Sequence, residues 1–151
     1  MENNDVLRRL RFIIDANDQK MLEIFGNVNF KPSQEEVVSW LKKEDHADYV
    51  ECPDNVLANF LNGLIIDKRG KKDDVLPKAE NKLNNNIILR KLTIAFSIKT
   101  DDVVGVLDLA ELKVGKSEIS AFFRKPGHSK YRECRDQFLR NFLLGLQKKL
   151  K

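Results

Sequence analysis

Apolar residues recur along this chain at helical spacing, and they do so in two matching sets. Val6, Leu7, Leu10, Ile13 and Ile14 fall at i, i+1, i+4, i+7 and i+8. This predicts an amphipathic helix from Asn4 to about Ala16, with Arg8, Arg9 and Arg11 toward water. A short helix follows from Asp18, its expected N-cap, to about Phe25, with Met21, Leu22 and Phe25 inward. After a loop through Gly26 and Pro32, Ser33 and Glu36 spell the S-x-x-E capping box of a third helix carrying Val37, Val38, Trp40 and Leu41. The fourth starts at Pro53, where a missing N–H is harmless, and sets Val56, Leu57, Phe60, Leu61 and Leu64 on one stripe. It closes with Lys68, Arg69 and Gly70, a cationic last turn and a C′ glycine. No run alternates apolar and polar residues between turn signals, so no strand is expected.

The same four helices are predicted again downstream. Ile88, Leu89, Leu92, Ala95 and Phe96 mark the first, and a short helix begins after Thr100. Ile119, Phe122 and Phe123 mark the third; Phe138, Leu139, Phe142, Leu143, Leu146 and Leu150 mark the fourth. A shift of 82 positions aligns residues 3–64 with 85–146 without a gap. The identities include Asn3/Asn85, Asn4/Asn86, Arg8/Arg90, His46/His128, Tyr49/Tyr131, Cys52/Cys134, Asp54/Asp136, Phe60/Phe142 and Gly63/Gly145. A period this long, present twice, indicates a duplicated subdomain rather than a solenoid. A unit of roughly 60 residues buries a small share of its surface by itself. The expected fold is therefore all-α: two tandem related four-helix subdomains, residues 1–70 and 85–151, joined by a charged linker at 71–84 and packed as one globular unit. Gly63 and Gly145 lie inside the fourth helices, where glycine costs roughly 1 kcal/mol against alanine. Kept in both copies, they point to a close helix crossing, expected between the copies. Gly115 stands where Ser33 opens the capping box, so the third helix of the second copy keeps only a glycine cap.

Composition adds class and compartment. With 42% hydrophobic and 33% charged residues, the chain has apolar surface for a core and too many charges for a membrane span. No apolar run approaches the roughly 20 residues that a span needs. The polar, acidic start from Met1 to Asp5 lacks the basic and then apolar pattern of a secretory signal. A cytoplasmic protein with two free thiols is expected. Charge is divided unequally: residues 3–64 hold 7 Lys and Arg against 11 Asp and Glu, whereas residues 85–151 hold 14 against 7. Such asymmetry speaks to partners rather than to fold.

Candidate chemistry is sparse. His46 with Cys52 and His128 with Cys134 would supply two nitrogens and two sulfurs if the copies met face to face. Structural zinc ligands usually come in closer pairs, so a buried thiol and a locally bonded histidine are the expected state, and no metal or other cofactor is assigned. Glu51, Asp54, Glu133 and Asp136 sit at helix starts, where carboxylates meet orphan N–H groups, with Arg8 and Arg90 as expected ion partners. No nucleophile set, phosphate loop or dinucleotide fingerprint is present, and no enzyme activity is expected. The strongest hint is cationic: Arg124, Lys125, Lys130, Arg132, Arg135 and Arg140 cluster around the second-copy loop and last helix, with Tyr131 beside them. Such a patch can neutralise phosphates while a tyrosine stacks on a base. The helix pair near 101–110 and 117–125 has a longer connection than a helix-turn-helix allows.

Four long stretches resemble the YehS-like family of small bacterial proteins of unknown function. They are Asn4 to Arg11 (NDVLRRLR), Trp40 to Asp45 (WLKKED), Phe60 to Ile65 with Lys68, Arg69 and Gly70, and Tyr131 to Arg140 (YRECRDQFLR). The resemblance covers essentially the whole chain and implies a bacterial cytosolic protein of duplicated helical domains, with no catalytic residue to carry over. The expected function is a non-enzymatic binding or adaptor module acting through the second-copy surface on a protein partner, with nucleic-acid binding as the alternative. No membrane contact is expected. A homodimer is compatible with the charge asymmetry.

Overall fold

The structure, a computed structural model, describes residues 1–72 and 75–151; Asp73 and Asp74 of the expected linker lie outside the described residues. Eight helices form among them: α1 (Asn3–Ile13), α2 (Asp18–Gly26), α3 (Gln34–Leu41), α4 (Asp54–Arg69), α5 (Asn85–Ala95), α6 (Thr100–Leu109), α7 (Lys116–Phe122) and α8 (Asp136–Leu150). No described residue is in a strand, and no helix is long and apolar enough to cross a membrane. Two units result, Met1–Leu83 with α1 to α4 and Asn84–Lys151 with α5 to α8.

The helix ends follow local chemistry. Glu36 N–H donates to Ser33 Oγ at 3.1 Å and Ser33 N–H donates to Glu36 Oε1 at 3.0 Å, so the capping box of α3 forms as its spacing predicts. Gly115 opens α7 with no side-chain cap. The cap of α2 is Asn17 and not Asp18, because the Asn17 carboxamide oxygen reaches Lys20 N–H at 2.8 Å and leaves Asp18 as the first helical residue. Helix α1 stops at Ile13, short of the expected Ala16. Asp15 turns to φ 55° there, and Ala16 N–H folds back to the Arg11 carbonyl at 3.0 Å. Ser97, also at φ 55°, ends α5 the same way, with Ile98 N–H on the Thr93 carbonyl at 2.8 Å.

In the first unit α2 packs against α4 and α3, and α1 against α3 and α4. Phe25 occupies the centre, with the rings of Phe60, Phe30 and Trp40 at 5.2, 5.4 and 6.0 Å. In the second unit α6 lies along α8, and α7 and α5 complete the core around Leu92, Leu107, Phe142 and Leu146. The duplicated glycines do mark close crossings, but inside each unit rather than between copies. A Cβ on Gly63 would stand 2.0 Å from the Ile24 carbonyl oxygen of α2, and one on Gly145 would stand 1.9 Å from the Val106 oxygen of α6. The obstacle is main chain, which no side-chain rotation relieves.

A second shared device ties the α3–α4 connection to α1. Asn4 is fully buried. Its Nδ2 donates to the Trp40 and Val50 carbonyls at 3.0 and 2.9 Å, and its Oδ1 accepts Cys52 N–H at 2.9 Å. Asn86 repeats this on Phe122, Arg132 and Cys134 at 3.1, 2.8 and 2.9 Å. The neighbouring Asn3 and Asn85 donate to the Cys52 and Cys134 carbonyls, both at 3.0 Å. The segment after α4 also returns to the first unit: Asn55 Nδ2 donates to the Glu80 carbonyl at 3.2 Å, and Leu83 N–H donates to Asp54 Oδ2 at 2.9 Å.

Two substitution tests follow. Gly145→Ala should destabilise the protein by roughly 1–3 kcal/mol despite alanine's better helix propensity. Gly105→Ala, where a Cβ in mid-α6 meets nothing within 4 Å, should stabilise it by roughly 0.5–1 kcal/mol; urea unfolding midpoints read both signs. Asn86→Asp keeps the shape, removes both donors and turns a carboxylate toward two carbonyls. It should lose roughly 3 kcal/mol or more in the same measurement.

Candidate functional site

The connection from the third to the fourth helix is built alike in the two units and decorated differently. His46 donates its backbone N–H to the Lys43 carbonyl at 2.9 Å and receives Tyr49 N–H on its own carbonyl at 3.1 Å. Its ring Nδ1 accepts Asp48 N–H at 3.0 Å. His128 makes the same three bonds with Lys125, Tyr131 and Lys130 at 2.9, 3.0 and 3.0 Å. Each histidine is thus the pivot of a double turn. Both are exposed, whereas Cys52 and Cys134 lie in the core at 1% and 2% exposure. Neither unit brings its imidazole and thiol together, and no group of three or more His, Cys, Asp or Glu among the described residues could hold a metal ion. Desolvation, aided by the Asp54 and Asp136 carboxylates, pushes the Cys52 and Cys134 thiols up to about 12.

Of the four carboxylates at the helix starts, Asp54 and Asp136 are engaged structurally, by asparagines rather than by the orphan N–H groups of their helices. Asp54 accepts from Asn3 Nδ2 at 2.7 Å and Asp136 from Asn85 Nδ2 at 2.7 Å. Arg8 and Arg90 do not pair with these acids. Arg8 bonds Asp5 and donates to the Lys42 carbonyl at 2.7 Å, and Arg90 donates to the Phe123 carbonyl at 2.9 Å. Their helices carry them to the ends of α3 and α7, where the last carbonyls lack intrahelical donors.

Against each double turn lies an open recess. In the second unit it measures about 770 Å³ and is lined by Lys116, Ser117, Glu118, Ser120, Ala121, Arg124, Ser129, Lys130, Tyr131 and Arg132. In the first unit it measures about 700 Å³ and is lined by Gln34, Glu35, Val38, Ser39, Lys42 and Asp48. Each of these six aligns, at the shift of 82, with a residue lining the second recess. The scaffold is the same and the charge is inverted. Lys116, Arg124, Lys130 and Arg132 face the lone carboxylate Glu118 in the second recess, while Glu35 and Asp48 face the lone cation Lys42 in the first.

Arg132 is the best-fixed cation. Its N–H donates to the Ala121 carbonyl at 3.2 Å, its carbonyl accepts Asn86 at 2.8 Å, and its guanidinium stands 3.6 Å from Glu118. Glu118 is available for that contact because Gly115 offers no capping box, whereas its counterpart Glu36 is held by Ser33. The recess divides the predicted patch. Arg124, Lys130, Tyr131 and Arg132 line it. Arg135 lies in an adjoining recess of about 300 Å³ that shares Glu118 and Arg132 and is walled by Phe122 and Phe138. Lys125 and Arg140 line neither. Sequence reasoning missed Lys116, although the aligned change from Gln34-Glu35 to Lys116-Ser117 signals the charge inversion.

The family described as Protein of unknown function (DUF1456) matches this chain twice, at residues 3–70 and 85–151. An uncharacterized protein of Escherichia coli (strain K12), YehS, is 47% identical over 148 residues, covering 97% of this chain and 94% of its own length. No solved structure matches the chain.

The thiols give a pH test. Each ionises near 9.0 when unfolded and near 12 when folded. Their contribution to stability is therefore complete below pH 9 and lost as the pH rises from 9 toward 12. Between about pH 8 and about pH 10.5 the protein should lose about 2 kcal/mol per thiol. A Cys52→Ala/Cys134→Ala protein should show a correspondingly flatter fall in urea midpoint, and an unchanged slope would contradict the thiol assignment.

Proposed function

We propose that this chain, which belongs to the family Protein of unknown function (DUF1456), is a non-enzymatic binding module that presents the basic recess of its second unit to an anionic segment of a protein partner. The observation that carries this is the pair of equivalent recesses with opposite linings. The duplicated frame accounts for the concavity in both units, and within the second the four cations around a single carboxylate favour a negatively charged occupant. The fixed main chain of Arg132 supports the same conclusion, since it anchors the root of that side chain at the recess wall. No residue is given a catalytic role, because the duplicated His is held in a turn, the duplicated Cys in the core and the duplicated Asp by the asparagine that opens its copy, Asn3 or Asn85.

Nucleic acid is the second reading, favoured by half-buried Tyr131 on the recess wall beside Lys130 and Arg132. A tyrosine so placed offers a face on which a base can stack, next to charges that neutralise phosphate.

Affinity capture from an extract of cells that make the protein separates the two. Wild-type protein should retain a protein partner after nuclease treatment, and Lys130→Glu/Arg132→Glu protein should lose it by tenfold or more. Retention abolished by nuclease, together with a gel shift of generic DNA or RNA that weakens steeply with salt, would favour nucleic acid. Equal retention by the charge-reversed protein would remove the recess from the binding surface.

A further inference from the structure

The chain carries a second feature opposite in charge to the basic recess. In the first unit the double turn is exposed at every residue from Lys43 to Asp48 and bears Glu44, Asp45 and Asp48. Its counterpart in the second unit has Pro126, Gly127 and Lys130 at those positions. Glu44, Asp45 and Asp48 make no ion pair among the described residues, and neither do Lys116, Arg124 and Lys130. The first unit therefore holds an exposed turn whose three carboxylates form no ion pair among the described residues, and the second a concavity in which Lys116, Arg124 and Lys130 form none and Glu118 is the single carboxylate.

We propose that the Glu44, Asp45 and Asp48 turn of one molecule seats in the basic recess of a second copy of this chain. The proposal rests on the recess being a binding surface, as argued above. The direction is set by charge. The turn of the second unit, with Lys130, is repelled by a cationic recess, and the first-unit recess, with Glu35 and Asp48, repels an acidic turn. Of the two opposite-charge pairings, the first-unit turn with the second-unit recess brings three carboxylates to four cations and one carboxylate, whereas the second-unit turn meets a first-unit recess of two carboxylates and one cation, so the former is the stronger. The turn is held in shape by the three bonds of His46, so seating it orders little new structure. Each molecule offers one turn and one recess, so two copies can exchange turns in a closed dimer or continue head to tail. Ion pairs in an open recess are individually weak and screened, which makes the association reversible and confined to low ionic strength.

Sedimentation velocity of the full chain reads this directly. At about 20 mM salt the mass should rise with protein concentration above the 17.5 kDa of the single chain. At about 500 mM salt, where the Debye length falls to a few ångströms, it should return to 17.5 kDa. Glu44→Lys/Asp48→Lys protein and Arg124→Glu/Lys130→Glu protein should each remain monomeric at low salt. An equimolar mixture should associate again, because the native turn of one variant meets the native recess of the other and the reversed turn meets the reversed recess. All four positions are exposed, and circular dichroism checks that both variants are folded. A wild-type mass of one chain at every salt and concentration overturns the proposal, as does a mixture that fails to associate when each variant alone has lost the ability. If the mass never rises while partner capture still depends on Lys130 and Arg132, self-association fails and the binding function stands.

Discussion

Asn4 and Asn86 each sit in an apolar interior and satisfy three main-chain groups that no helix reaches. Trp40 and Phe122 lie in the last turn of the third helix, where carbonyls lack intrahelical donors, the fourth helix has not begun at Cys52 or Cys134, and the chain between them would bury orphan carbonyls and N–H groups. A carboxamide offers two donors and an acceptor in one plane, and here all three are used. Removing one partner of a buried hydrogen bond typically costs 1–3 kcal/mol, so this small knot outweighs most surface pairs of the molecule. It also explains why an asparagine pair opens both copies: Asn3 and Asn85 take the next carbonyl and reach on to Asp54 and Asp136. The double turns, the recess walls and the start of the fourth helix all hang from this point.

The glycine crossings are the second constraint, and they concern distance rather than polarity. With a hydrogen in place of a side chain, α4 comes down onto the Ile24 carbonyl and α8 onto that of Val106. The duplicated chain keeps this approach, and the leucines and Phe60/Phe142 of the fourth helix with it, while exchanging other core residues: Phe25 becomes Leu107, Trp40 becomes Phe122 and Val56 becomes Phe138. The aromatic cluster moves accordingly, from around Phe25 to the Phe122–Phe138 pair with ring centres 5.1 Å apart. Core volume is redistributed and backbone contact is not.

Much of this was legible in the sequence. Apolar spacing and the 82-residue self-match gave the helices and the duplication, and Ser33 with Glu36 gave a cap that formed as expected. The helix ends were harder, because the residues that turn left-handed after the first two helices of each unit are Asp15, Asn29, Ser97 and Glu111 rather than glycine. The partners of Asn4, Arg8 and Gly63 were invisible to local pattern, since each touches an element tens of residues away. The same holds for the recess. Cations recur from Arg124 to Arg140 along the sequence, yet the fold selects Arg124, Lys130 and Arg132 from them and adds Lys116 from the start of α7.

The bonds that hold the double turn end almost entirely on main-chain atoms. Asn4 grips the carbonyl of Trp40 and the carbonyl of Val50, and His46 grips the N–H of Asp48. None of these contacts reads the side chain of the residue it holds. Positions 40, 48 and 50 can therefore change identity without loosening the frame, and in the other unit they have done so, to Phe122, Lys130 and Arg132. Shape and surface chemistry are under separate control here. A duplicated gene with such a frame can explore new charge on one copy while the other copy retains the old, and it need not pass through an unfolded ancestor to do so.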